Sequence, residues 1–201
     1  KVDDGSSVLD YEPEEKHRGM SINSHITFYE TRSHLVNLID TPGFLNFLYE
    51  AENAVRAVDG VVLVAGAVGS AESGLQLKKY WDIAGGLPSM IFVNKLDKEN
   101  TSYEATVNGI ARELAGVRVI PLTLPIGEQH DLKGIVDLVD MKAYAYDGTG
   151  DAREIPVPDD MMDAAAAARE EIIETVAELD DDLLEKYLDG EPVDEDKITT
   201  L

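Results

Sequence analysis

The chain has no cysteine, so neither a disulfide framework nor a thiolate metal centre is available to it. No apolar run approaches the ~20 residues needed to span a bilayer, and the opening KVDDGSSVLDYEPEEK has no signal-peptide pattern. A soluble protein of a reducing cytoplasm, without a membrane partner, is therefore expected. Basic residues are scarce: 17 Lys and Arg stand against 40 Asp and Glu, a formal charge of −23. Such a surface repels phosphate backbones and argues against direct nucleic-acid binding through a basic patch. The phosphate-cradling pattern G-x-x-x-x-G-K-[ST] is also absent. The chain opens at Lys1, within a polar segment, which points to a piece of a longer protein.

What is present suffices for one ordinary domain and a smaller one, at 201 residues. Apolar periodicity switches in an ordered way between two and about 3.6. SHITFYE (24–30) alternates like a half-exposed strand, and HLVNLID (34–40) reads as a strand more fully buried. NFLYEAENAVRAV (46–58) has helical spacing, and GVVLVAGA (60–67) is a β-branched run of the kind that forms a central parallel strand covered on both faces. SGLQLKKYWDIAG (73–85) reads as a helix, SMIFVN (89–94) as a buried strand, and SYEATVNGIARELAG (102–116) as a helix closed by glycine. This alternation implies an α/β fold with a doubly wound, mostly parallel sheet over residues 1–116.

From residue 117 the pattern changes. VRVIPLTLPIG, LKGIVDLVD and MKAYAYD are three short strand candidates separated by turn residues, and REIPVPDDM leads into a helix through residue 179. A second short helix, DDDLLEKYLDG, follows, so 117–201 is expected to be a compact α+β subdomain. Residues 151–201 hold 18 acidic and 4 basic residues, which makes them either a solubilising face or an acidic docking surface for a basic partner.

Two motifs stand where strands end, the place at which open α/β sheets bind ligands. In Asp40-Thr41-Pro42-Gly43, an aspartate leaving a strand can hold Mg²⁺, usually through water, and Gly43 lets its backbone N–H approach a terminal phosphate. The alternative is an ordinary strand-to-helix turn, but a specified tetrapeptide arises by chance in such a chain at about one in a thousand. In Asn94-Lys95-Leu96-Asp97, the carboxylate of Asp97 can accept from the N1–H and exocyclic amine of guanine, where adenine would present a lone pair. Asn94 can bond the base edge, and the stem of Lys95 can cover the ring. A third segment, Arg18-Gly19-Met20-Ser21-Ile22, offers either a switch hydroxyl for Mg²⁺ at Ser21 or simply a serine at the entry of a strand.

The order VDDGSSVLDYEPEEKHRGMSI, DTPG, NKLD and LPIGEQHDLKGIVDLVDMKAYAYD closely resembles bacterial translation elongation factor G and its paralogues, over essentially the whole chain. The resemblance implies a P-loop-NTPase-like GTPase domain with its P-loop upstream of Lys1, and a GTP/GDP site with Mg²⁺. Residues 1–116 would then be a partial GTPase domain. Residues 117–201 would be the inserted subdomain, which in the family contacts the ribosomal stalk protein. Ser21 falls where the family usually has a Mg²⁺-binding threonine. A monomeric, ribosome-associated GTPase acting in translocation is the implied function. Phe44 departs from the family, which typically places there the histidine that orients the attacking water. None of His17, His25, His34 and His130 matches that position, and all four read as plain surface or strand residues. A slowly hydrolysing or non-hydrolysing regulator is the alternative, and a structural module acting through its acidic face is a more remote one. If Phe44 packed on Leu45 or on the Ser21 segment, it would shield the phosphate from water.

Overall fold

The computed structural model describes residues 7–68, 70–146 and 151–189, with the backbone alone for 70–74. It is a mixed helix and sheet fold that divides into two compact units: Lys1–Ala65 with Ala71–Asn94, and Gly66–Ser70 with Lys95–Leu201. The main break falls after Asn94. Tyr103 Oη donates to the Thr123 carbonyl and Gln129 Nε2 to that of Thr101. These bonds tie the 95–116 segment to the sheet that follows it.

In the first unit, helix α1 (Pro13–Arg18) precedes an antiparallel pair, β1 (His25–Glu30) and β2 (Leu35–Asp40), in which His25 pairs with Asp40. The sequence expectations did not include α1, although its signals are local. Glu12 and Glu15 form a capping box, Pro13 enters the first turn, and Gly19 closes the helix at φ 63°. Residues 45–58 form a 3₁₀ turn, the short α2 (Leu48–Ala54) and a second 3₁₀ turn, not one continuous helix. Strands β3 (Val61–Gly66) and β4 (Ser89–Asn94) are hydrogen-bonded neighbours, joined in sequence by α3 (Ser70–Ala84).

Among the described residues the strands of this unit are hydrogen-bonded in two pairs, β1 with β2, which is antiparallel, and β3 with β4. Burial differs from expectation. Leu35 and Leu38 of β2 are exposed, β3 is covered on the Leu63 and Ala65 face but open at Val62 and Val64, and β4 alternates, with Met90 and Phe92 exposed. β-Branched composition makes a run suitable for burial, but only neighbours cover it, and each of these strands has one hydrogen-bonded neighbour among the described residues.

The second unit begins with the 95–100 loop and α4 (Tyr103–Glu113), whose N-cap Ser102 accepts from the Ala105 N–H and whose C-cap is Leu114, with Gly116 two residues beyond. A four-stranded antiparallel sheet follows: β5 (Thr123–Ile126), β6 (Gly134–Asp137), β7 (Lys142–Tyr146) and β8 (Ala152–Ile155). The fourth strand corrects the expectation of three. Residues 152–155, taken as the approach to a helix, extend instead along β7, where β-branched Ile155 pairs with Ala143. Pro125 lies on the edge strand β5, where the missing N–H costs least. Helix α5 (Met162–Ala177) buries Ala165 and Ile172 against Val136, Leu138 and Ala143. The short α6 (Asp181–Leu188) is capped by the Asp180 carboxylate. The expected subdomain's last twelve residues, 190–201, lie outside the described residues, as do residues 2–6 of the opening segment.

Candidate functional site

Asp40 ends β2, and the chain turns through Thr41, Pro42 and Gly43 into the 3₁₀ turn. Pro42 is buried, which anchors the turn to the unit. Gly43 has an ordinary backbone, and a Cβ built there meets nothing within 4 Å. Nothing in the protein's own packing demands glycine at that position, so its lack of a side chain leaves room for something outside the chain. Two side chains of α3 reach this turn: Gln76 Nε2 donates to the Gly43 carbonyl at 2.5 Å, and Tyr80 Oη to the Pro42 carbonyl at 3.3 Å.

Ser21 belongs to the same unit. Its hydroxyl donates to Asp10 Oδ1 at 2.7 Å, which leaves the oxygen's lone pairs free to face a cation. Desolvation first, and then the Asp10 carboxylate, push the Asp40 pKa above its ordinary value. The His25 ring acts in the opposite direction, and a cation near Asp40 would lower its pKa further. The donor set of hydroxyl and carboxylates suits a hard divalent ion. Among the described residues, no group of three or more His, Cys, Asp and Glu is placed to hold a metal by itself.

Beneath this region lies a buried pair that sequence reasoning missed. Glu15 is fully buried and accepts from the backbone N–H groups of Ile22, Asn23 and Glu12. His25 Nε2 stands 2.9 Å from Glu15 Oε2, and Tyr11 lies against the His25 ring at a centroid distance of 4.4 Å. Burial by itself would raise the Glu15 pKa, but the Ile22 N–H, the His25 ring and the other two N–H groups outweigh it and hold the pKa at about 2. His25 is thus a core residue and not the plain strand residue expected. His17 and His34 are exposed, and His130 approaches Glu99 at the surface.

The second motif straddles the division between the units. Asn94 closes the first, and Lys95, Leu96 and Asp97 belong to the second. Lys95 adopts φ 64°, turning the chain sharply after β4. The Thr101 hydroxyl, itself buried, reaches the carbonyls of Leu96 and Lys98, and the Gln129 N–H also donates to Leu96. Gly127, at φ 82°, permits the tight turn that presents Gln129, since a Cβ there would run into the Asp131 carbonyl. No sequence signal marked Thr101 or Gln129, because their role depends on contact across the fold. The Asp97 side chain is 61% exposed and 3.6 Å from Lys98 Nζ, so its carboxylate is presented outward.

Phe44, which follows the glycine, is 55% exposed, so neither Leu45 nor the Ser21 segment encloses it.

Residues 1–194 match the family model described as elongation factor Tu GTP binding domain. Over 199 residues, 97% of the chain, the sequence is 39% identical to elongation factor G of Mycoplasma genitalium. Over 194 residues it is also 39% identical to elongation factor G of Mycoplasma pneumoniae. The chain spans 28% of the length of each of these relatives. A crystal structure of a Thermus thermophilus protein superposes with a TM-score of 0.85 at 32% identity, covering 98% of this chain and 29% of that one.

Proposed function

Because the chain belongs to the elongation factor Tu GTP-binding domain family, we propose that it is the GTP-binding part of a ribosome-associated GTPase that acts in translocation during protein synthesis. The observation that carries this reading is the placing of both motifs at the carboxyl ends of strands, Asp40 to Gly43 after β2 and Asn94 to Asp97 after β4. In this reading residues 1–116 are the partial GTPase domain and 117–201 its inserted subdomain. The two strand pairs of the first unit join one doubly wound, mostly parallel P-loop-NTPase-like sheet in the complete protein.

Asp97 accepts from the guanine N1–H and amine, and the base replaces water around a carboxylate that the free chain leaves exposed. Asn94 bonds the base edge, and the stem of Lys95 lies along the ring. Gly43 offers its N–H to the terminal phosphate, with no Cβ in the way. Ser21 and Asp40, the latter through water, would hold Mg²⁺, which would neutralise charge on the phosphates. The acidic face of 117–201 supports docking to a basic segment of the ribosomal stalk protein. The absence of any membrane-length apolar helix among the described residues is compatible with a monomer working in the cytoplasm.

The full-length protein, assayed for guanine-nucleotide binding and for GTP turnover with and without ribosomes, tests this reading. Tight GTP binding with ribosome-stimulated turnover supports it. Failure to bind guanine nucleotides overturns it. Tight binding with turnover that ribosomes do not stimulate would establish the slow regulator instead.

A further inference from the structure

Gln76 and Tyr80 are four residues apart on α3 and so share one face of the helix. They donate to consecutive backbone carbonyls of the turn, Gln76 to Gly43 and Tyr80 to Pro42. The peptide unit is planar, and no cis bond occurs among the described residues, so each carbonyl points opposite to the N–H of its own peptide. Holding the Pro42 and Gly43 carbonyls toward α3 therefore turns the N–H groups of Gly43 and Phe44 away from it. We propose that Gln76 and Tyr80 are positioning residues that aim these two N–H groups, and so set how strongly the turn prefers a nucleoside triphosphate over a diphosphate. The inference rests on the guanine-nucleotide reading of the motifs.

The mounting is firm on both sides. Leu77 and Ala84 of α3 are buried, which fixes the helix that carries the donors, and Pro42 is buried at the other end of the bond. Burial pushes the Tyr80 hydroxyl above its ordinary pKa of 10.0, and a hydrogen bond from Gln76 only partly offsets this, so the phenol stays protonated and remains a donor. A diphosphate lacks the terminal group that the two N–H groups would meet. Loosening the turn should therefore weaken triphosphate binding selectively, whereas a purely structural defect would weaken both nucleotides together.

The test uses the full-length protein with Tyr80→Phe and Gln76→Ala, singly and combined, titrated with GDP and with a non-hydrolysable guanosine triphosphate. The expected result for the combined variant is a triphosphate affinity about tenfold lower, with GDP affinity changed by less than about twofold. Parallel loss of both nucleotides, or no change in either, overturns the proposal. Backbone order parameters at Gly43 and Phe44 in the nucleotide-free protein are the second measurement: they should fall in the variants, and unchanged values overturn the clamp. A native protein that binds neither nucleotide would instead sink the guanine-nucleotide reading, and the order parameters would still decide whether the clamp exists.

Discussion

His25 Nε2 meets both carboxylate oxygens of Glu15, at 3.0 and 2.9 Å, across ten residues of chain, with both side chains enclosed. Because Glu15 titrates at about 2 in the fold, against 4.5 ordinarily, its ionised form favours the folded state. That contribution is complete above pH 4.5 and is lost as pH falls toward 2. Glu15→Gln should lower stability at neutral pH by about 2–4 kcal/mol, through loss of charge-assisted bonds to buried donors. It should also flatten the acid limb of the stability profile. Urea unfolding followed from neutral pH downward checks both, and identical acid limbs for the two proteins would count against an ionised Glu15.

Asp97→Asn in the full-length protein should shift preference from guanine to xanthine nucleotides, because an amide can donate to the xanthine carbonyl where the carboxylate accepted from the guanine amine. Thr101→Val should act on the same loop without touching the base. It deletes the hydroxyl shared by Leu96 and Lys98, and about a fivefold loss of affinity for GDP and GTP alike is expected. Competition binding with GDP and xanthosine diphosphate distinguishes the two effects, and unchanged guanine selectivity in the Asp97 variant would contradict the role given to that carboxylate.

Under the slow-regulator reading, hydrolysis should be slow even on ribosomes, since catalysis of phosphoryl transfer to water depends on positioning the water and Phe44 has neither donor nor acceptor. Phe44→His should raise the single-turnover rate by about 10² or more, the contribution typical of a positioned imidazole. Because Phe44 is 55% exposed, the substitution should leave folding intact. A native rate that already equals that of the variant would show that another group orients the water.

Binding of residues 117–201 to a basic stalk segment should be largely electrostatic, weakening steeply as salt rises past about 0.1 M, where the screening length is ~10 Å. Glu170, Glu171 and Glu174 all lie on the exposed side of α5, away from buried Ala165 and Ile172. Neutralising the three should weaken binding by about tenfold at low salt and by less at high salt. Calorimetry across a salt series checks this, and a salt-independent affinity would shift attention to the apolar sheet.

Much of the architecture is legible from short stretches of sequence. Alternation placed β1 and β2 within a residue, and β4 spans SMIFVN as read. The two motifs fall at strand ends because strand period and turn chemistry are encoded over a handful of neighbouring residues. Helix α1 is equally local, in its capping box and Gly19, although its own turns carry no apolar periodicity. Other features have no local record. That His25 is a buried partner of Glu15, that Thr101 and Gln129 hold the Leu96 carbonyl, and that Gln76 and Tyr80 reach across 33 and 38 residues to the Gly43 turn all depend on which loops the fold brings together. Burial of a strand has the same origin. The composition of Val61 to Gly66 makes it fit to be covered on both faces, but coverage comes from neighbours whose distance along the chain leaves no trace in the strand's own residues.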